Sequence, residues 1–150
     1  MEAQYSPIQI EEKWSKIWAD RELEKPGSED HFSQIIPPPN VTGTLHMGHS
    51  FQYAIMDFYT RYHHMNGTDS YWQVGTDHAG IATQMVVENN LLNEGKSKDD
   101  LGREKFLQEV WKWKDFSEGE ISAQMKRLGI TVEWDKYRFT YDDDFCKGVN

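Results

Sequence analysis

A single cysteine, Cys146, is all the thiol chemistry that this 150-residue chain has. That excludes an intrachain disulfide and a cysteine-rich zinc site. No apolar run approaches the roughly 18 to 20 residues needed to cross a bilayer as a helix. Met1 to Ala19 carry neither the basic start nor the apolar stretch of a secretory signal. The expectation is a soluble, cytoplasmic protein with no membrane partner. Basic residues are also in short supply, 16 Lys and Arg against 25 Asp and Glu, for a net charge of -9. A broad nucleic-acid-binding face should be basic, so none is expected in this segment. A small phosphate site is compatible with that charge, because it rests on a few backbone amides. No internal repeat or low-complexity tract is present.

Large apolar side chains are plentiful, with 37% hydrophobic residues, 13% aromatics and six Trp. That is enough to build a core and excludes a disordered chain. Ser6-Pro7-Ile8-Gln9 reads as a helix start, with Ser6 as cap and Gln9 closing a capping box. Ile10, Trp14, Ile17 and Trp18 follow at helical spacing. Pro26-Gly27-Ser28 predicts a turn. His31–Ile36 predicts a strand, which Pro37, Pro38 and Pro39 end because they cannot donate to a ladder.

From His46 to Met65 the apolar positions Met47, Phe51, Ala54, Phe58, Tyr62 and Met65 step by 4, 3, 4, 4 and 3, an amphipathic helix stopped at Asn66-Gly67. Ser70–Gly75 predicts a second strand, and Gly80–Asn93 a helix ended near Gly95. Ser97-Lys98-Asp99-Asp100 opens another helix, with Phe106, Val110 and Trp113 on one face and Ile121, Met125 and Leu128 continuing the pattern to Gly129. Ile130–Trp134 reads as a third strand or extended segment, and Thr140 to Asp143 as one more helix cap. Alternating strands and helices predict a parallel α/β sheet. Two or three strands are few for such a sheet, so the chain is expected to be part of a larger fold with an exposed edge and an aggregation hazard.

The segment from Ile36 to His49 joins the first strand to the first long helix. In open α/β sheets, ligands bind beyond the carboxyl ends of strands, and a helix N-terminus attracts phosphate. Gly43 and Gly48 would let backbone approach a bulky ligand. His46 and His49, three apart, share a face of the first helical turn. Two readings of that pair stay open: donors to phosphate oxygens, or capping and packing. No metal is assigned, since zinc histidines on a helix usually stand at i, i+4 and no further ligand completes a set.

Asp77, in Trp72 to Gly80, likewise has two readings. It partners a cationic group such as an α-ammonium, or it caps the following helix; different oxygens can do both. His78 is either a pocket or a packing residue. Asp142-Asp143-Asp144 reads as helix-start charge, with Mg²⁺ binding the less supported alternative.

The run Pro37 to His49 resembles the valyl form of the class I aminoacyl-tRNA synthetase HIGH signature, here His46-Met47-Gly48-His49. Gly75-Thr76-Asp77-His78-Ala79-Gly80-Ile81-Ala82-Thr83-Gln84 is similar to a second signature of the valyl-tRNA synthetases, and Leu128-Gly129, Trp134-Asp135 and Phe139-Thr140 fit the stretch that follows. The resemblance covers nearly the whole chain. It implies the first half of a Rossmann-like parallel-sheet catalytic domain at 31–150, preceded by an N-terminal helix and linker at 1–30.

The implied activity is that of a valine–tRNA ligase: valine and ATP give valyl-adenylate and pyrophosphate, and the valyl group passes to tRNA(Val). The implied catalytic pair is His46 and His49. The implied ATP site is Asn40, Thr42, Gly43, His46, Met47, Gly48 and His49, with Mg²⁺ arriving on the ATP. Pro37, Asn40 and Asp77 would hold the amino acid. The family's KMSKS loop, editing domain and anticodon-binding domain have no counterpart here, so tRNA contacts are expected mainly elsewhere and aminoacylation by this piece alone is not expected. A truncated, non-catalytic module that binds nucleotide or a partner is the alternative. A small nucleotidyltransferase is disfavoured by the Gly75–Gln84 block.

Overall fold

Parallel strands need a long crossover between them, and the first two strands have one. In a computed structural model, which describes residues 6–19 and 27–149, the chain divides into two compact units. Residues up to 36, 46–74 and 122–136 form the first; residues 37–45, 75–121 and 137–150 form the second.

The first unit holds helix α1 (Pro7–Ala19), strand β1 (His31–Ile35), helix α2 (Met47–Met65) and strand β2 (Asp69–Gln73). β1 and β2 pair in parallel, His31 opposite Asp69 through Ile35 opposite Gln73, with α2 as the crossover. Gln34 reaches from β1 to α2, donating to Met56 O at 2.6 Å and Thr60 Oγ1 at 2.5 Å. Tyr53, Thr60, Trp72, Val74, Met125 and Ile130 are buried here, and Tyr53 meets Trp72 edge-on.

α2 is amphipathic in the opposite sense to the sequence expectation. Met47, Phe51, Phe58, Tyr62 and Met65, read as the core-facing stripe, are all more than half exposed, as is usual for solvent-facing positions and not for a core. The face that packs carries Tyr53, Asp57, Thr60 and Arg61. Asp57 accepts from Arg61 Nε at 2.6 Å and from the Thr131 backbone N–H at 2.6 Å. Arg61 also donates to Gly129 O at 2.7 Å and lies 5.0 Å from the Trp18 ring centre. A polar network, not the apolar stripe, fastens this helix to the 129–131 turn and to α1.

The second unit holds strand β3 (Gly75–Thr76), helix α3 (Gly80–Asn93), strand β4 (Arg138–Phe139) and helix α5 (Asp143–Val149). Helix α4 (Lys98–Leu128) contributes its residues to 121 here and the rest to the first unit. β3 and β4 pair in parallel. Val87, Leu91 and Phe106 form a buried cluster with Leu101, Val110 and Trp113 against it, so the predicted Phe106–Val110–Trp113 face does pack.

Two sequence expectations need adjustment. Ile130 to Glu133 carry no strand; the extended reading is the one that stands, followed by a 3₁₀ turn at Trp134–Lys136, and the pairing strand is β4. α4 is interrupted at Gly102, whose φ of 72° and ψ of 165° are outside helical space. The Pro26 start of the predicted turn lies outside the described residues.

Candidate functional site

The predicted site residues fall into two groups, each built within its own unit. His46, Met47, Gly48 and His49 belong to the first; Pro37, Asn40, Thr42, Gly43 and Asp77 belong to the second.

His46 is the N-cap of α2, with extended backbone at φ -116°, ψ 172°. Its Nδ1 accepts from the Gly48 N–H at 3.1 Å, and its own backbone N–H donates to His49 Nδ1 at 3.2 Å. The two imidazoles stack with centres 3.8 Å apart. This is a capping box made from two histidines in place of the usual Ser and Glu. A Cβ on Gly48 would come within 2.9 Å of the His46 ring, so glycine is needed there for the cap itself. At Gly43 a Cβ would meet nothing within 4 Å.

Capping and phosphate contact use different nitrogens. Both Nδ1 atoms act as acceptors, so each neutral ring carries its proton on Nε2. Each His thus keeps one N–H donor beside the positive end of a 19-residue helix. Burial, and then the neighbouring His46, push the His49 pKa below its ordinary 6.5, which keeps the ring in the neutral form that the cap requires.

In the second unit the proline-rich loop is tied down by α4. Trp113 Nε1 donates to Val41 O at 2.9 Å and Ser117 Oγ to Gly43 O at 2.8 Å. Val41 and Pro39 are buried, whereas Pro37 and Asn40 are exposed. Asn40 and Asp77 form a parallel bridge: Val41 N donates to Asp77 O at 2.9 Å and Asp77 N to Pro39 O at 2.8 Å. The loop carrying Pro37, Asn40 and Thr42 and the loop carrying Asp77 are therefore one backbone ladder.

Asp77 is not the cap of α3. That position is Ala79, in left-handed conformation at φ 49°, with no side-chain cap bond. The Asp77 carboxylate instead accepts from Thr140 Oγ1 at 2.7 Å through Oδ1, which also lies 3.3 Å from His78 Nδ1. Oδ2 has no hydrogen-bond partner among the described residues, so one carboxylate oxygen is available to a cation. His78 is half-exposed and sits among Phe139, Tyr141 and Thr140.

Below this group, Thr76 Oγ1 donates to Glu118 at 3.0 Å, and Glu118 pairs with Lys114 at 2.6 Å. Burial of Lys114 opposes its charge, but the hydrogen bonds and charges of Glu118 and Asp115 outweigh it and raise the ammonium pKa. The acidic run at the chain's end acts as helix-start charge: Asp142 accepts from the Phe145 N–H at 3.0 Å and from Arg138.

Sequence reasoning missed Trp113 and Ser117 as anchors of the loop, because nothing local ties residue 117 to residue 43. Thr140 had a signal as part of Phe139-Thr140 and of the predicted helix cap at Thr140 to Asp143, but none that tied it to Asp77. A cavity of about 360 Å³ in the first unit, lined by residues such as His31, Asp69 and Lys136, opens at the amino ends of β1 and β2. Ligands of open α/β sheets bind at the other end, and no predicted site residue lines it.

Known proteins resemble this chain both in fold and in sequence. The agnB2 LeuRS of Agrobacterium radiobacter K84, solved as a LeuRS–tRNA–LeuAMS ternary complex, superposes with a TM-score of 0.71 over 95% of this chain and 17% of its own, at 20% identity. That likeness speaks for the fold alone. Valine–tRNA ligase of Acinetobacter baylyi is 54% identical over 146 residues, and that of Aquifex aeolicus 48% over 149. Each match covers 97% of this chain, which spans only 15% and 13% of those relatives' lengths. With the family model of tRNA synthetases class I (I, L, M and V) matching residues 9–150, the chain belongs to that family.

Proposed function

We propose that this chain is the amino-terminal part of a cytoplasmic valine–tRNA ligase, with residues 1–30 as helix and linker and residues 31–150 as the first half of its ATP-binding catalytic domain. The observation that carries the reading is identity of 54% and 48% to two valine–tRNA ligases across 97% of the chain. The substrates are valine, ATP with its Mg²⁺, and tRNA(Val), the last held mainly by parts beyond this segment.

Adenylate formation joins the valine carboxylate to the α-phosphorus of ATP as pyrophosphate leaves. Such a reaction needs positioning and charge stabilisation, not a protein nucleophile. His46 and His49 supply Nε2–H donors at the start of α2, with Asn40, Thr42, Gly43, Met47 and Gly48 completing the ATP contacts. Asp77 Oδ2 takes the α-ammonium of valine, with Pro37 and Asn40 beside the amino acid.

Calorimetric titration with a non-hydrolysable valyl-adenylate analogue tests this. Binding weakened by Asp77→Ala and by His46→Ala, and stronger than for the isoleucyl analogue, is the expected result. A folded chain that binds both analogues equally, or neither, would count against the assignment.

A further inference from the structure

Thr140 stands 63 residues on from Asp77 and outside both signatures, yet its hydroxyl joins the two polar residues of the second. Oγ1 is 2.7 Å from Asp77 Oδ1, 2.9 Å from the His78 backbone nitrogen and 2.7 Å from His78 Nδ1. The Thr140 backbone N–H donates to Thr76 O at 3.1 Å. That bond follows directly on the β3–β4 pairing of Thr76 with Phe139 and places the hydroxyl.

A hydroxyl has one proton and two lone pairs. The carboxylate can only accept, so the proton goes to Asp77. The His78 backbone N–H takes one lone pair. The other lies against His78 Nδ1, which must then be the protonated ring nitrogen. The result is a saturated relay from His78 Nδ1–H to Thr140 Oγ1–H to Asp77 Oδ1.

We infer that Thr140 is a positioning residue of the amino-acid half-site: it holds Asp77 by Oδ1, leaves Oδ2 for the ammonium of the ligand, and fixes His78 as the Nδ1–H tautomer with Nε2 as an acceptor. The inference deepens the reading of Asp77 as the ammonium partner and rests on it. It also gives His78 a definite part, as the group that keeps the threonine proton directed at the carboxylate.

Histidine ¹⁵N NMR of the chain reads the tautomer directly. Wild type and Thr140→Ser are expected to hold His78 as Nδ1–H, while the isosteric Thr140→Val releases it to a mixture with Nε2–H. In calorimetry, Thr140→Val is expected to weaken the valyl-adenylate analogue about tenfold or more, the loss typical of a hydrogen bond to a charged group. It should leave the affinity for ATP, which has no ammonium, unchanged, and Thr140→Ser should retain both. A wild-type His78 in the Nε2–H form, or a Thr140→Val variant with wild-type affinity for the analogue, overturns the inference. So does equal loss of ATP and analogue that serine does not restore. Failure of the wild type to bind any adenylate analogue would instead strike the functional reading, and the tautomer would still decide this one.

Discussion

Gly129 lies against the indole of Trp18: a Cβ added to the glycine would fall 2.4 Å from Cζ3 of the ring. Its φ of +69° is also in the left-handed region, where it ends α4. Gly129→Ala therefore meets both a clash and backbone strain, and about 1–3 kcal/mol of destabilisation is expected. Chemical denaturation followed by tryptophan fluorescence measures it. The Trp18→Ala, Gly129→Ala double variant should lose less than the sum of the singles, because the clash is gone. Strict additivity would mean that the two residues do not touch.

Gly75 has no unusual φ, but a Cβ there would lie 2.2 Å from the carbonyl oxygen of Arg138. Backbone cannot rotate out of the way as a side chain can. Gly75→Ala is expected to part β3 from β4 and to cost about 1–3 kcal/mol, as overpacking does. Thr140 follows β4 directly, so the same variant should weaken the valyl-adenylate analogue although Gly75 need not touch it. Wild-type affinity together with wild-type stability would contradict the β3–β4 register.

The two-histidine cap makes α2 sensitive to acid. The His49 pKa is lowered by burial and by His46, so the unfolded chain takes up this proton more readily than the folded one. The stabilisation is whole above the ordinary value of 6.5 and is lost as pH falls from there through the lowered value in the fold. The protection of the His46 amide against exchange, which His49 Nδ1 provides, should fall over that window. His49→Gln, which has no titrating proton, should remove the pH dependence. A His46 protection factor that is flat between neutral and mildly acidic pH would show that the His49 imidazole is not part of the cap.

The outward stripe of α2 predicts self-association of this chain, since contiguous exposed apolar patches drive it. Phe58 is 65% exposed. Phe58→Glu should shift sedimentation toward the monomer while changing stability by no more than about 0.5 kcal/mol, as exposed substitutions do. A large loss of stability would place Phe58 in the core, where the periodicity first put it.

Local sequence was enough for most elements. Proline at 37–39 ended β1, Asn66-Gly67 ended α2, Gly95 marked the end of α3, and the 3.6-residue period located α4, because these signals act within a few residues. The loop-to-helix segment at 36–49 and the block at 75–84 were visible for the same reason: the glycines, histidines and aspartate that mark them are contiguous. The face of α2 was misread because periodicity reports that a stripe exists and not which side is covered. Here Asp57 and Arg61 turned the polar face inward by bonding Thr131 N and Gly129 O.

By itself, the sequence determined where most helices begin and end, that the strands run parallel, and which two segments resemble signatures of the class I tRNA synthetases. Only the tertiary structure decided which oxygen of Asp77 is taken and that Ala79, not Asp77, caps α3. It alone brought Ser117 to Gly43 and Thr140 to Asp77. Hydrogen bonds between residues more than sixty positions apart depend on how the chain returns through space, and no local pattern of side chains encodes that return.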